Sequence, residues 1–365
     1  MRRPLIDRRD FVRGAGLAFL AGLAPARMHA AASADAVYAT AFQRRSGEYG
    51  VAILSEAGQL IHSTALPERG HDACFDPVSR RTVVFARQPG TFAVVFDHAN
   101  GNQSLTIASI PGRHFYGHGV FSPDGALLYA TENDYDNAAG MIGIYDARDG
   151  FARLGEFPTH GVGPHEMLLL RDGKTFAVAN GGIETHPDFG RAKLNIPTMQ
   201  PSLVFIDRES GRLIGKSSLT NDLHQLSIRH MDEDASGAIW FGCQYEGAAT
   251  EQPPLIGSAR PGQGMQLTEL PKPVLAGFRN YIGSVAANRE AGTVAFASPQ
   301  GNCLTVLDSA TGNVVSTTGM REVCGIAPDG AGFIATTGTG EIALPASPAP
   351  AMPDLVFDNH ILRIG

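Results

Sequence analysis

The feature that most constrains this chain is a segment that recurs along it. Each copy has a short apolar run, a turn rich in Pro, Asp or Gly, and a second apolar run. The clearest copy spans residues 117–131, where GHGVFS precedes the turn PDG and the run LLYAT. Six copies begin at residues 71, 117, 165, 224, 282 and 322. Antiparallel strands that repeat every roughly 40–60 residues predict the blades of a β-propeller.

The number of blades follows from the residues outside these six copies. Three further apolar runs, at residues 37–41, 50–54 and 60–66, supply most of a seventh blade. Residues 355–364 are expected to close the ring beside them, because a closed ring leaves no sheet edge unpaired. We therefore predict an all-β fold, a seven-bladed β-propeller of four-stranded antiparallel blades, as a single domain over residues 33–365. Six blades are the alternative.

Composition agrees with this fold and excludes several classes of protein. The chain has 43 Gly and 23 Pro among 365 residues, and only 18% of its residues are charged. It is too apolar for a disordered chain and too rich in turn residues for a helical bundle. The net charge of −7 without basic blocks argues against a nucleic-acid partner. No apolar stretch reaches the roughly 18 residues that a membrane span needs.

The first 32 residues are predicted to be an export signal rather than part of the fold. Arg8 and Arg9 are followed by Phe11, a modest apolar segment at residues 15–24 and the small residues Ala30–Ala32. This order is typical of a twin-arginine signal peptide, with an ordinary secretory signal as the alternative. The expected location is the periplasm.

The cysteines and the common catalytic motifs carry little information. Four cysteines have no CxxC spacing, so they indicate neither a zinc site nor a redox motif, and most are expected to be buried apolar residues. No CxxCH haem-attachment motif and no GxSxG nucleophile motif is present.

The starts of the first strands carry the strongest indication of a site. These strands line the channel of a propeller, so residues in register at their starts should meet at one mouth. The first two positions of the six copies contain four histidines and three acidic residues. Imidazoles and carboxylates bind transition metals, although polar channel mouths also occur without a metal. The candidate metal ligands are His71, His118, His165, Glu166, His224 and Glu322, and Asp72 and Gln225 are candidate ligand-binding residues beside them.

A long loop at residues 181–202 is expected to lie over the same mouth. It falls between the second and third strands of its blade, and such loops share a face with the first-strand starts. Long loops without strands of their own are usually functional or disordered. Its candidate ligand-binding residues are His186, Asp188, Arg191, Lys193 and Asn195. Arg229 and His230, placed at the far end of a first strand, are predicted to be structural.

Several phrases together resemble the DUF1513 family of exported bacterial proteins. They are GHGVFSPDG (117–125), GPHE (163–166), ANGGIETHPDFGRAKLN (179–195), MQPSL (199–203), HQLSIRH (224–230), YIGSVA (281–286) and DNHILRI (358–364). The resemblance implies a propeller related to the YVTN and quinoprotein amine dehydrogenase-like superfamily. It also implies an association with periplasmic iron-uptake proteins of the imelysin type, and it supplies no catalytic residues.

Three functions are consistent with these features. The first is a periplasmic propeller that binds a transition metal, iron before copper, or a metal-bearing ligand, as an accessory to iron uptake. The second is a metal-dependent, lactonase-like or oxidoreductase-like enzyme that uses the same histidines and carboxylates. The third is a protein-interaction scaffold, which predicts a large apolar surface patch and no convergent ionisable groups.

Overall fold

Short strands and tight turns make up nearly all of the structure, a computed structural model that describes residues 37–97, 103–345 and 351–364. The predicted export signal at residues 1–32 lies outside the described residues. Within them, the only α-helix is α1 (Lys272–Gly277). No helix in this part of the chain is both long and apolar enough to cross a membrane.

Seven antiparallel sheets, one for each blade, follow one another along the chain. Blade 1 contains β1 (Val37–Arg44), β2 (Tyr49–Ser55), β3 (Leu60–Leu66) and the C-terminal strand β27 (Leu355–Arg363). Blade 2 contains β4 (Gly70–Asp76), β5 (Arg81–Ala86), β6 (Phe92–Asp97) and β7 (Gln103–Ala108). Blade 3 contains β8 (Arg113–Phe121), β9 (Leu127–Asp134), β10 (Ala139–Asp146) and β11 (Ala152–Pro158). Blade 4 contains β12 (Pro164–Leu169), β13 (Thr175–Asn180), β14 (Ser202–Asp207) and β15 (Leu213–Ser218).

The remaining three blades have the same order of strands. Blade 5 contains β16 (Leu226–Glu233), β17 (Ile239–Tyr245), β18 (Ile256–Arg260) and β19 (Gln263–Leu267). Blade 6 contains β20 (Ser284–Asn288), β21 (Thr293–Ser298), β22 (Cys303–Asp308) and β23 (Val314–Gly319). Blade 7 contains β24 (Val323–Asp329), β25 (Gly332–Thr337) and β26 (Ile342–Ala343) among the described residues.

The inner strands form a closed ring. Each of β4, β8, β12, β16, β20, β24 and β27 contacts the inner strands of both neighbouring blades. The ring is closed by pairing of the C-terminal strand with β1, in which Tyr38 lies opposite Arg363 and Phe42 opposite Phe357. Seven blades and closure by residues 355–364 are therefore confirmed, and the six-bladed alternative is excluded.

The core consists of apolar side chains packed within and between blades. Every residue of β13 is buried, and in blades 2 and 3 the ring of Phe115 lies 5.9 Å from that of Phe85 and 6.3 Å from that of Tyr145. The four cysteines are all buried, in agreement with the expectation that most of them are, and none is in a disulfide. Burial of these apolar side chains stabilises the fold because it removes apolar area from water. The polar groups inside the ring therefore need a separate explanation.

Candidate metal centre

Five imidazoles meet inside the ring of inner strands, one from each of blades 1 to 5. We call them the five-histidine cluster: His360 on β27, His71 on β4, His118 on β8, His165 on β12 and His230 on β16. Ring centroids in contact lie 4.7–6.0 Å apart. Four of the five side chains are at most 8% exposed, and His360 is partly exposed. Such convergence is unusual because buried polar groups are costly without partners.

β-Bulges in the inner strands direct these side chains into the channel. In each of the five strands the pairing register shifts at or beside the histidine. A bulge adds a residue that the partner strand does not match, so the side chain is turned out of its regular alternation. Gly117, with φ of +105°, belongs to one of these bulges, and a Cβ there would lie 2.6 Å from Cδ2 of His71. Glycine at this position lets two imidazoles approach each other.

Carboxylates orient three of the imidazoles through their Nδ1 atoms. In each case the acid comes from the preceding blade, and the Nδ1–H donates to it. The pairs, with their nitrogen–oxygen distances, are His71–Asp358 (3.0 Å), His118–Asp72 (2.9 Å) and His230–Glu166 (3.2 Å). The ionised carboxylates of Asp72 and Asp358 only accept, and Oε2 of Glu166 already accepts from the Met231 amide. The proton of each of these three imidazoles therefore resides on Nδ1, and Nε2 carries a free lone pair. This is how proteins orient metal-binding histidines.

The Nε2 atoms of all five histidines are buried and have no hydrogen-bond partner among the described residues. An unsatisfied buried polar atom costs about 1–3 kcal/mol. Burial, joined by repulsion from neighbouring cations, lowers the pKa values of His71, His165 and His230 well below the usual range. Burial also lowers the pKa of His360 to about 4. His71, His165, His230 and His360 are therefore neutral imidazoles, and the cluster is a set of buried nitrogens that lack partners among the described residues.

The carboxylates around the cluster differ in charge. Burial alone would raise the pKa of Asp72, but His360 and the hydrogen bond from His118 outweigh it and hold the pKa at about 2. Burial would also raise the pKa of Asp358, but the hydrogen bond from His71 and the Arg87 guanidinium hold it far below the usual range. Burial raises the pKa of Glu166. Two ionised acids therefore adjoin the imidazoles and favour a cation among them.

The ring contacts have the connectivity of a square pyramid. His118 contacts all four other rings, at 4.9, 5.1, 6.0 and 4.8 Å between centroids. The other four contact one another in a cycle at 5.7, 4.7, 4.9 and 4.8 Å. The two diagonal pairs of that cycle, His71–His230 and His165–His360, have no ring contact in the described structure. If all five imidazoles bound one ion in this arrangement, His118 would be the apical ligand.

The ligand nitrogens form two overlapping sets of three. His71, His118 and His165 offer ligand atoms within 4.8 Å of one another, and so do His118, His230 and His360. Opposite ligands of a single ion are about 4.2 Å apart when each metal–nitrogen distance is about 2.1 Å. One ion bound by all five histidines would therefore require the two sets to move closer together around His118.

Three of the predicted metal ligands lie in the cluster, and three do not. His71, His118 and His165 are members, whereas Glu166 holds the Nδ1 of His230. His224 precedes its strand, where Nδ1 lies 2.8 Å from the carbonyl of Asn221 in a 3-10 turn. Glu322 has a half-exposed side chain and pairs with Arg321. This 3-10 turn and its capping residue His224 occupy positions that the repeat placed at the start of the inner strand, whereas β16 begins at Leu226. The histidine that enters the channel from blade 5 is therefore His230.

The long loop crosses one face of the propeller as a lid segment (residues 181–201). Its Thr185 accepts hydrogen bonds from Gln88 of blade 2 and Asn133 of blade 3. Lys193 forms an ion pair with Glu246 of blade 5. The segment therefore contacts the loops between the second and third strands of three other blades.

The other predicted ligand-binding residues have different positions. The side chain of Asn195 makes two hydrogen bonds within the lid segment. It accepts from the Glu184 amide at 2.7 Å and donates to the Gly182 carbonyl at 2.9 Å. His186 and Asp188 belong to a 3-10 turn at the rim, where the imidazole lies against Tyr135. Arg191 and Lys193 line a small pocket under the lid. Asp72 bonds His118, and the backbone carbonyl of Gln225 accepts from Glu246.

The comparisons agree with this architecture. The family model described as "Protein of unknown function (DUF1513)" matches residues 64–364. This chain belongs to the DUF1513 family. The match spans the second to seventh blades and the closing strand, and so includes all five members of the cluster. No curated protein matches the DUF1513 chain.

Solved structures similar to this DUF1513 protein share its fold at low sequence identity. Hydrazine synthase of Kuenenia stuttgartiensis aligns with a TM-score of 0.60 and 15% identity, covering 79% of this chain and 86% of that one. The Cps50 (Swd1) β-propeller domain of Myceliophteria thermophila aligns with a TM-score of 0.57 and 12% identity, covering 82% and 94%. At these identities the likeness shows the propeller fold alone.

Proposed function

We propose that this protein binds a single transition metal ion through the five-histidine cluster. The observation that carries the proposal is the set of five buried Nε2 atoms without partners, three of them on imidazoles oriented by carboxylates. A metal ion would give these nitrogens a common partner and offset the cost of burying them, with the Nε2 proton of His165 released on binding because its Nδ1 accepts from Arg229. A scaffold function predicts no such convergence.

The connectivity of the site favours iron(II). Structural zinc prefers four ligands in a tetrahedron, and calcium prefers oxygen. A square pyramid of imidazoles is five-sixths of an octahedron and leaves one position for a water molecule or another ligand. Imidazole suits iron, copper and nickel, of which copper binds most tightly in general. We assign iron(II) as the physiological ion, with copper as the alternative.

The experiment compares two histidines that are six positions apart. Protein purified from its native compartment is expected to carry about one equivalent of metal by elemental analysis. His230→Ala should lose most of this metal, whereas His224→Ala should retain it. Circular dichroism checks that both variants fold, and His230→Gln serves as a second test if the alanine variant does not. Metal retained by folded His230 variants, or lost in His224→Ala, would overturn the assignment.

We also propose that the protein acts in the periplasm as an accessory to iron uptake. The twin-arginine pattern supports this location, because that route exports folded proteins and allows a metal to be inserted beforehand. Changing Arg8 and Arg9 to lysine should abolish export, measured by fractionation and immunoblotting. Undiminished periplasmic accumulation of that variant would contradict the route.

A further inference from the structure

A small pocket lies under the lid segment beside the five-histidine cluster. The side chains that line it include Gln88, Tyr116, Thr185, Arg191, Lys193 and Arg229. Arg229 also contacts the cluster, since its Nη1 lies 3.4 Å from Nδ1 of His165. Tyr116 is two residues from His118 on β8. The pocket thus adjoins the cluster on the side that the lid covers.

Positive charge exceeds negative charge around this pocket. Arg191 is exposed on the lid, but partial desolvation of its guanidinium lowers its pKa, and repulsion from Arg87, Arg69 and Arg229 adds to the effect. Lys193 supplies a fifth cation. Three carboxylates face these groups: Asp358, which pairs with Arg69 and Arg87; Glu246, which pairs with Lys193 and Arg229; and Glu184. Two positive charges therefore remain without a carboxylate.

Two groups that line the pocket lack a hydrogen-bond partner. The Tyr116 side chain is only 3% exposed, and its hydroxyl lies near Thr185 without a hydrogen bond of normal geometry to any described residue. The Arg191 guanidinium forms no hydrogen bond or ion pair with the described residues. A buried hydroxyl without a partner costs free energy, and like charges held together repel. An anion with oxygen acceptors would relieve both costs at once.

We propose that this pocket binds a small oxyanion, with a carboxylate or phosphate group held by Arg191, Lys193 and Arg229 and accepting a hydrogen bond from Tyr116. Guanidinium groups suit such anions because their planar donors match two oxygens of the ligand. The lid supplies two of the three cations, so the lid segment is part of the binding site. This anion site stands on its own residues and does not require a metal in the cluster.

Isothermal titration with inorganic phosphate and with acetate tests the proposal and separates the two kinds of oxyanion. At low ionic strength, at least one of them should bind the purified full chain with one site per molecule. Arg191→Ala should weaken that binding on the order of tenfold, the loss expected for one charged hydrogen bond. Tyr116→Phe, which keeps the ring, should weaken it several-fold. Because Arg191 has no hydrogen-bond or ion-pair partner in the described part of the chain, its removal should leave the fold intact.

Two controls distinguish this site from other causes of anion binding. Arg148→Ala removes an exposed cation on the turn between β10 and β11 and should leave the affinity unchanged. His118→Ala, which disrupts the metal centre, should also preserve anion binding. Failure of both anions to bind at millimolar concentration, or equal weakening by Arg148→Ala, would overturn the proposal. Anion binding lost in folded His118→Ala would assign the anion to the metal instead.

Discussion

At the scale of single residues, carboxylates set the direction of the imidazoles. Asp72 of blade 2 holds His118 of blade 3, and Glu166 of blade 4 holds His230 of blade 5. No carboxylate orients His165, because the corresponding residue of the preceding blade, directly after His118, is Gly119. The Nδ1 of His165 lies against Arg229 instead. Asp72 and Glu166 each directly follow a histidine of the cluster, whereas Asp358, which orients His71, precedes His360 by two residues. Neighbouring blades are tied together by the same bonds.

We expect Asp72→Ala to weaken metal binding by roughly 10–100-fold, the usual effect of removing a group that orients a metal ligand. The imidazole of His118 would lose the acceptor that keeps its proton on Nδ1. The measurement is a competition titration against a chromogenic chelator. Asp136→Ala, which removes an exposed carboxylate at the rim, is the matched control and should bind metal normally. Equal affinities for the two variants would contradict the orienting role of Asp72.

The sequence allowed part of this residue-level site to be predicted. His71, His118 and His165 could be found because each lies at or just after the start of a repeat. His230 and His360 could not be found in this way. His230 was assigned a structural role, and His360 lies in the closing strand outside the six copies. An available signal was the phrase Asp358-Asn359-His360, which places an acid near a histidine as His71-Asp72 does, although the order and spacing differ.

At the scale of secondary structure elements, the bulges explain why register was harder to predict than fold. Strand number and order follow from apolar runs and turn residues, which repeat regularly. A bulge inserts one or more extra residues, and amino-acid composition does not reveal where. The number of residues between the start of a strand and the side chain that points into the channel therefore differs from blade to blade. In β8 the shift lies between Phe115 and Gly119, whereas in β16 it lies between Ile228 and His230. Side chains that meet in space therefore occupy different positions in their strands.

The lid segment shows a second limit of sequence reasoning at this scale. Its length and mixed chemistry predicted a lid, but not which side chains face inward. Asn195 is committed to internal hydrogen bonds, and His186 lies at the rim. Arg191 and Lys193 line the pocket because the lid passes between blades 2, 3 and 5. These contacts depend on the closed ring, which local sequence patterns do not describe.

At the scale of the whole molecule, the cluster connects the C-terminal closing strand with the inner strands of the blades that follow it around the ring. His360 lies on the closing strand β27, and His71 lies on β4 of the next blade, close to the N-terminal end of the described chain. Their rings are 4.8 Å apart. An ion held by both would join blade 1 to blade 2 and, through the other three histidines, to blades 3, 4 and 5. Metal binding should therefore stabilise the ring as a unit.

The corresponding prediction is a rise in melting temperature when metal is restored to protein stripped with a chelator. A ligand that binds only the folded state at 100 times its dissociation constant adds about 2.7 kcal/mol. For a chain of this size we expect a rise on the order of 5 °C, measured by calorimetry or circular dichroism. Iron(II) under anaerobic conditions, or nickel(II) as an air-stable substitute, should produce it. Calcium should not, because it prefers oxygen ligands. His118→Ala should abolish the rise, since it removes the apex that contacts every other imidazole. A rise of equal size with calcium, or in folded His118→Ala, would mean that the stabilising ion binds outside the five-histidine cluster.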